Sequence, residues 1–189
     1  MTYYHASQTA ELKELRPYCS NHGTPLVYLS QKREKTIVYL SNGIEKYYRE
    51  NHLSYYGRHY TWASYGFDRN GKQIVEEYYP NALRDTYEGV SGYIYQAAVQ
   101  EELAAFPEIP GTVISKKPVP VQGCEQIEDA YEELLKLEKQ GMVILSRYES
   151  HSSEKLEWIR KMIQKEYQEK RAVEDYIRFL EDKFPFLHP

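Results

Sequence analysis

Two short segments near the N-terminus carry residues that could bind a ligand through hydrogen bonds and ring contacts. His5 is followed two positions later by Ser7, and Tyr28 is followed two positions later by Ser30. Alternate residues of a strand share one face, so each pair would present a ring and a hydroxyl on the same side. An imidazole can donate and accept hydrogen bonds, and a tyrosine ring can stack on a planar ligand. The spacing therefore permits a binding cleft between two neighbouring strands.

Strands are the elements that must position these residues. Residues 2–5 form a brief aromatic run and residues 26–30 form an apolar run after a turn cluster, so each segment predicts a strand. Residues 31–50 mix strand-like composition with apolar residues at helical spacing, and we predict a helix broken near Asn42 and Gly43. Both candidate pairs thus fall on strands in the first thirty residues.

The middle of the chain is rich in β-forming residues. Residues 60–67 and 73–79 flank an Asn-Gly turn, which predicts a tight hairpin. Residues 92–99 are mostly apolar and predict a central strand. Residues 106–121 contain four prolines, which would limit this segment to an edge strand.

The last third of the chain changes to helical periodicity. Residues 125–140 carry one apolar face, an acidic first turn and a glycine directly after them, which predicts an amphipathic helix. Residues 142–145 predict a short buried strand. A second helix is expected over residues 153–183, with a polar interruption at residues 168–171.

The second C-terminal helix is too long for one small domain to cover. Its 31 residues would span about 46 Å, so part of it must fold back or meet another chain. We expect its distal half to contact a second copy of this chain and form a homodimer. The apolar side chains expected in that interface are Val173, Tyr176, Ile177, Leu180 and Phe184.

Length and pattern together predict one compact body of the α+β class. The 189 residues leave little room for two domains. We expect mixed, mainly antiparallel small sheets that form a cleft, with helices at the C-terminus. Residues 1–124 would make the β-rich body, and residues 125–189 would pack on it as a helical region rather than an independent domain.

Composition excludes or disfavours several classes of protein. No apolar stretch approaches the roughly 18 residues needed to cross a bilayer, which excludes a membrane-spanning helix. The N-terminal residues lack the basic and apolar regions of a signal peptide, so we expect a cytoplasmic protein. The net charge of -4 disfavours nucleic acid as a partner. The 20 tyrosines suit half-buried strands, an interface or a ligand pocket.

Cysteine and histidine usage gives no sign of a metal or a disulfide. Cys19 and Cys124 are far apart in the chain and belong to no CxxC motif, so we expect them to be small packing residues. The six histidines show no metal-ligand spacing, and we expect no metal site.

Short sequences at the two candidate strands resemble the start of the ADP-ribosyltransferase-like proteins, in particular the small rifampin ADP-ribosyltransferase type. In that family a first strand ends in His-Gly-Thr and a second reads apolar-Tyr-aromatic-Thr. Residues 5–7 read His-Ala-Ser here, and residues 28–30 read Tyr-Leu-Ser. Residues 92–95 look like the later strand that leads to the family's acidic residue, and residues 118–121 look like its closing strand. The resemblance covers the first two thirds of the chain.

The resemblance implies NAD as a substrate and gives each candidate residue a role. His5 would hydrogen-bond a ribose hydroxyl of NAD, and Tyr28 would stack on the nicotinamide ring. Ser7 and Ser30 would donate hydrogen bonds to the dinucleotide. The chain departs from the family at Ala6, where a glycine is usual and where a side chain narrows the space for a ligand.

A carboxylate is the remaining part of such a site, and no single one stands out in the sequence. The family's acid follows the strand that residues 92–95 resemble, which makes Glu101 or Glu102 our candidate for stabilising an oxocarbenium-like transition state. The acceptor stays open between a small molecule, a protein side chain and a nucleic-acid base. The alternative is a non-catalytic protein of the same fold that binds a nucleotide or a partner.

Overall fold

The chain folds into runs of strands separated by helices, and it ends in helices. A computed structural model describes residues 1–19, 23–54, 65–99, 103–169 and 174–188. The strands in these ranges are β1 (Thr2–Ser7), β2 (Glu14–Leu15), β3 (Tyr18–Cys19), β4 (Pro25–Ser30), β5 (Tyr65–Phe67), β6 (Gln73–Glu76), β7 (Gly92–Ala98), β8 (Ala104–Ala105), β9 (Thr112–Ser115), β10 (Val119–Pro120), β11 (Gly123–Ile127) and β12 (Val143–Ser146). The α-helices are α1 (Gly43–Glu50), α2 (Ala82–Tyr87), α3 (Ala130–Lys139), α4 (Ser153–Glu169) and α5 (Glu174–Lys183). The 3₁₀ helices are η1 (Arg33–Leu40), η2 (Tyr148–Ser150) and η3 (Pro185–Leu187).

β1 lies inside the main sheet, which has seven strands. Their order is β11-β7-β1-β4-β9-β8, with β3 pairing with β4 beside this path. A three-stranded sheet has the order β12-β6-β5, and β2 pairs with β10 in a two-stranded ribbon. The pairing of β12 with β6 is parallel and the other pairings are antiparallel. The predicted α+β class, with mainly antiparallel small sheets, is confirmed.

The two faces of the main sheet are covered by different elements. One face, the ribbon face, buries Leu29 and Tyr95 beneath Leu15 of β2 and Val119 of β10. The other, the helix face, is covered by η1, α2 and α3, with Ile37 of η1 fully buried in that core. Each face therefore has its own hydrophobic core, and a side chain's position along its strand decides which core it joins.

The C-terminal helices pack on the same chain. Phe179 and Leu180 of α5 are fully buried in a cluster that also contains Ile44 of α1. The Lys183 ammonium lies 2.9 Å from a carboxylate oxygen of Asp85 in α2, which adds an ion pair to this contact. The boundary expected between the β-rich body and the C-terminal region, after residue 124, falls inside β11. Residues 125–127 of the C-terminal region therefore belong to a strand of the main sheet.

The apolar stripe expected to meet a second copy is part of this core. Tyr176, Leu180 and Phe184 are 4%, 0% and 1% exposed, and Ile177 is half-buried. Val173 lies outside the described residues. Tyr176, Leu180 and Phe184 therefore cannot form the expected interface, because they are buried in contacts of α5 with α1 and α4 of the same chain, and the homodimer itself stays a prediction.

Several local predictions are confirmed by the described residues. The break near Asn42 is a helix start, since its side chain accepts hydrogen bonds from the backbone N–H groups of Ile44 and Glu45. β5 and β6 form the predicted hairpin, although residues 60–64 of its first segment lie outside the described residues. β7 is a central strand paired on both sides, and β12 is the predicted short strand.

Two predictions for the second half of the chain are wrong. β9 pairs with both β4 and β8 and is not an edge strand, because the prolines of this region flank β9 and none interrupts its ladder. The helix expected from residue 125 starts only at Ala130, after Asp129 caps it through the N–H groups of Tyr131 and Glu132. The preceding residues instead form β11, whose pairing with β7 overrides the helical periodicity.

Candidate functional site

β1 and β4 are joined at a single residue pair, next to the two candidate rings. Tyr4 of β1 pairs with Ser30 of β4, whereas β1 pairs with β7 along six residues and β4 pairs with β9 along four. β1 is thus paired mainly with β7, and β4 mainly with β9. Beyond the Tyr4–Ser30 pair, the backbone ladder between β1 and β4 is interrupted, and we call this interruption the split between β1 and β4.

His5 lies at this split and contacts β4 through its ring. Its Nδ1 atom is 2.9 Å from the carbonyl oxygen of Tyr28. A carbonyl oxygen only accepts hydrogen bonds, so Nδ1 carries the proton and Nε2 is left as an acceptor. Burial lowers the pKa of His5 below its ordinary value of 6.5, and the hydrogen bond to Tyr28 opposes this only in part. The imidazole is therefore neutral at pH 7.

The Tyr28 side chain leaves the sheet on the other face. His5 pairs with Tyr95, which belongs to the ribbon-face core, whereas Tyr28 alternates with Leu29 of that same core. The Tyr28 ring therefore lies on the helix-face side, where it packs edge-to-face on Phe106 with ring centres 5.4 Å apart. The structure brings His5 to the backbone of Tyr28 but does not bring the two rings onto one face.

The two serines differ in what their hydroxyls already do. Ser30 is 5% exposed, and its Oγ donates to the carbonyl oxygen of Lys32 at 2.8 Å and accepts from the Lys32 N–H. Its single proton is thus committed to a local turn. The Ser7 hydroxyl is half-buried and accepts from the Thr9 N–H at 3.1 Å, a bond that leaves its own proton available to donate. Of the two, Ser7 is the better placed to bind a ligand.

The candidate acids Glu101 and Glu102 lie outside the described residues. Their assignment as the catalytic carboxylate stays a prediction, as does the position of either group relative to His5.

A half-buried ion-pair network that sequence reasoning missed joins η1, β11 and α3. The Arg33 guanidinium donates two hydrogen bonds to Glu125, at 2.8 Å and 2.6 Å, and lies 2.7 Å from Glu133. This contact with Arg33 lowers the pKa of Glu125 below its ordinary value. The pairing joins residues 92 positions apart, so no local sequence pattern could have revealed it.

Two cavities lie on either side of this network. One, of about 310 Å³, is lined by residues that include Arg33, Glu34 and Met142. The other, of about 670 Å³, lies between β11 and α3 and is lined mainly by polar side chains. Glu125 and Glu133 line both of them.

Within the described part of the chain, no helix is long and apolar enough to cross a membrane, and no group of three His, Cys, Asp or Glu side chains could hold a metal ion. Comparisons with protein-family models, with curated proteins and with solved structures find no match to this chain.

Proposed function

We propose that this chain binds NAD at the split between β1 and β4 and that it is an ADP-ribosyltransferase-like enzyme. The observation that supports this best is the contact of His5 Nδ1 with the Tyr28 carbonyl oxygen across an interrupted strand pair. A split of this kind exposes backbone and side-chain groups of two strands to one ligand. The resemblance of residues 5–7 and 28–30 to ADP-ribosyltransferase-like proteins is the reason to propose NAD as this ligand.

The protonation of His5 fits a hydroxyl ligand. Because Nδ1 donates to Tyr28, the neutral ring offers Nε2 as an acceptor, and its partner must be a donor. A ribose hydroxyl is such a donor. The free proton of Ser7 provides a second contact for the dinucleotide, while Ser30 acts through the turn that ends β4.

The proposed reaction transfers ADP-ribose from NAD to a nucleophile. The bond between the ribose C1′ and the nicotinamide nitrogen breaks, nicotinamide leaves with the bonding electrons, and an acceptor atom forms the new bond to C1′ and loses its proton. Positive charge develops on the ribose during this step, and a carboxylate close to it would lower the barrier. We assign that role to Glu101 or Glu102 and place the reaction in the cytoplasm.

One observation favours the alternative, a non-catalytic nucleotide- or partner-binding protein. Since the His5 and Tyr28 rings leave the sheet on opposite faces, a nicotinamide stacked on Tyr28 would lie on the side of β4 away from the His5 ring. A ligand that contacts His5 and Ser7 alone would still bind. Only side chains of β1 would position this ligand, so it would not be fixed next to a catalytic group.

Calorimetry with NAD tests the proposal. We expect binding in the millimolar range or tighter and about a fivefold weakening in His5→Ala, since such a contact is worth about 1 kcal/mol. Tyr28→Ala keeps the backbone carbonyl that His5 contacts and loses a ring on the opposite face, so it should bind NAD as the unmodified chain does. Tyr18→Ala is the control, because Tyr18 lies on the exposed strand β3. Absence of heat from a folded sample would contradict NAD binding.

Nicotinamide release then separates the enzyme from the binding protein. The double variant Glu101→Gln/Glu102→Gln should bind NAD as the unmodified chain does and release nicotinamide at least 100-fold more slowly, an order of magnitude typical of losing one stabilising group. If the unmodified chain binds NAD without releasing nicotinamide, in the presence of water and varied acceptors, the alternative is correct.

A further inference from the structure

β11 is the last strand at one end of the main sheet, as far as the structure describes the chain. It pairs with β7 through five residues, and the main sheet ends with it. Among the described residues, no strand pairs with its other side. Unpaired backbone N–H and C=O groups along such an edge can pair with an extended peptide, which then adds a strand to the sheet.

The two faces of this edge differ in chemistry. Glu125 and Ile127 pair with Ile94 and Gly92 and lie on the helix face, where Glu125 lines the larger cavity. Gln126 pairs with Tyr93 on the ribbon face and is exposed. An added strand would thus direct every second side chain to the helix face beside α3 and the others to the ribbon face, where Gln126 also lines the cavity.

This cavity, of about 670 Å³, is acidic. Its lining contains five carboxylates and two lysines, a formal charge of -3. Arg33, which contacts both Glu125 and Glu133, balances one of these two negative charges. Glu128 and Glu132 are exposed, and neither carboxylate forms an ion pair with a described residue. The cavity therefore has carboxylates available for cationic side chains that enter it.

We propose that β11 and α3 form a docking site for an extended basic segment of another protein. The segment adds to β11 as an antiparallel or parallel strand and directs alternate Lys or Arg side chains towards Glu128 and Glu132. A second copy of this chain is a poorer match, because its net charge is -4. This inference does not depend on NAD binding, since two strands, β7 and β1, separate the edge from β4.

Two peptides of equal composition test the proposal. Thr-Lys-Thr-Lys-Thr-Lys-Thr alternates its charges as the geometry requires, and Thr-Thr-Lys-Lys-Lys-Thr-Thr does not. We expect the alternating peptide to bind about tenfold more tightly and to shift the backbone amide NMR signals of residues 123–127, because strand addition requires a period of two. Equal binding of the two peptides, or shifts confined to other residues, would overturn the proposal.

Charge-neutral variants locate the contacts. Glu128→Gln/Glu132→Gln should weaken the alternating peptide about tenfold, whereas Glu149→Gln/Glu157→Gln, with the same charge loss at exposed residues elsewhere, should leave it unchanged. Spermine carries positive charge but has no peptide backbone. If spermine, at the same concentration of positive charge, displaced the alternating peptide, the peptide would bind by charge alone and strand addition would be rejected. If the chain dimerised without peptide, and the dimer were lost in Glu128→Lys/Glu132→Lys, the edge would bind a second copy of the chain. This result would also overturn the proposal.

Discussion

The imidazole of His5 donates a hydrogen bond from Nδ1 to the carbonyl oxygen of Tyr28, 2.9 Å away, across a strand pair that is otherwise joined only at Tyr4 and Ser30. This hydrogen bond holds the His5 ring, on β1, against the backbone of β4. A ligand that binds Nε2 of His5 therefore acts on both strands, although the two rings lie on opposite faces.

The stability of the protein should depend on pH through His5. Its pKa is lowered in the folded chain, so below pH 6.5 the unfolded chain takes up a proton that the folded chain resists. The stability present above pH 6.5 is then lost as the pH falls towards the lowered pKa. Urea unfolding at about pH 7.5 and about pH 5.5 should show a larger loss in the unmodified chain than in His5→Gln. Equal losses would contradict a half-buried His5 whose pKa is lowered in the folded chain.

Removing the Arg33 guanidinium should destabilise the fold. Arg33→Met removes the cation shared by Glu125 and Glu133 and leaves only the longer contact of Lys136 with Glu133, whose side chain is 11% exposed. We expect a loss of about 2 kcal/mol in the free energy of unfolding, measured in urea. Arg16→Met is the control, because the Arg16 side chain is 80% exposed and its pair with Glu14 should contribute less than about 1 kcal/mol. Similar losses in both variants would show that the Arg33 network stabilises the fold no more than an exposed ion pair does.

Replacing Gln73 should stabilise the protein. Gln73 is 1% exposed, and neither its amide nitrogen nor its amide oxygen has a hydrogen-bond partner among the described residues. Gln73→Met keeps the shape and removes the buried polar atoms, so the free energy of unfolding should rise by about 1 kcal/mol. Gln164→Met, at an exposed position of α4, should change it by less than about 0.5 kcal/mol. Destabilisation by Gln73→Met would mean that the amide is satisfied.

Truncating Phe179 should show that α5 belongs to the core. Phe179 is fully buried, and Phe179→Ala should cost about 3–5 kcal/mol in urea unfolding. Trp158 on α4 is 49% exposed, so Trp158→Ala should cost much less. If Phe179→Ala costs no more than Trp158→Ala, α5 does not pack as described.

Local signals predicted the elements of the first half of the chain well. The turn residues before β4, the Asn-Gly hairpin between β5 and β6 and the Asn42 cap are all encoded within a few neighbouring residues. The placement of His5 on β1 and of Tyr28 on β4 followed from the same local patterns.

Long-range pairing explains what sequence reasoning missed. β11 carries residues that suit a helix, and only its pairing with β7 makes it a strand. The distal apolar stripe looked unpartnered because its partners, such as Ile44 and Tyr79, are more than ninety residues away. The faces on which His5 and Tyr28 emerge likewise depend on the register of β1 with β7, which no local pattern specifies.

The NMR signals of the His5 ring test the central claim most directly. Nitrogen-15 spectra of the ligand-free chain at about pH 7 should show a neutral ring with the proton on Nδ1. Titration with NAD should shift Nε2 as it accepts a hydrogen bond, while Nδ1 stays protonated and bonded to Tyr28, and His151, whose Nε2 is 2.8 Å from the Glu77 carbonyl oxygen, should not change. A His5 ring that is unchanged at a saturating NAD concentration would contradict a binding site between β1 and β4.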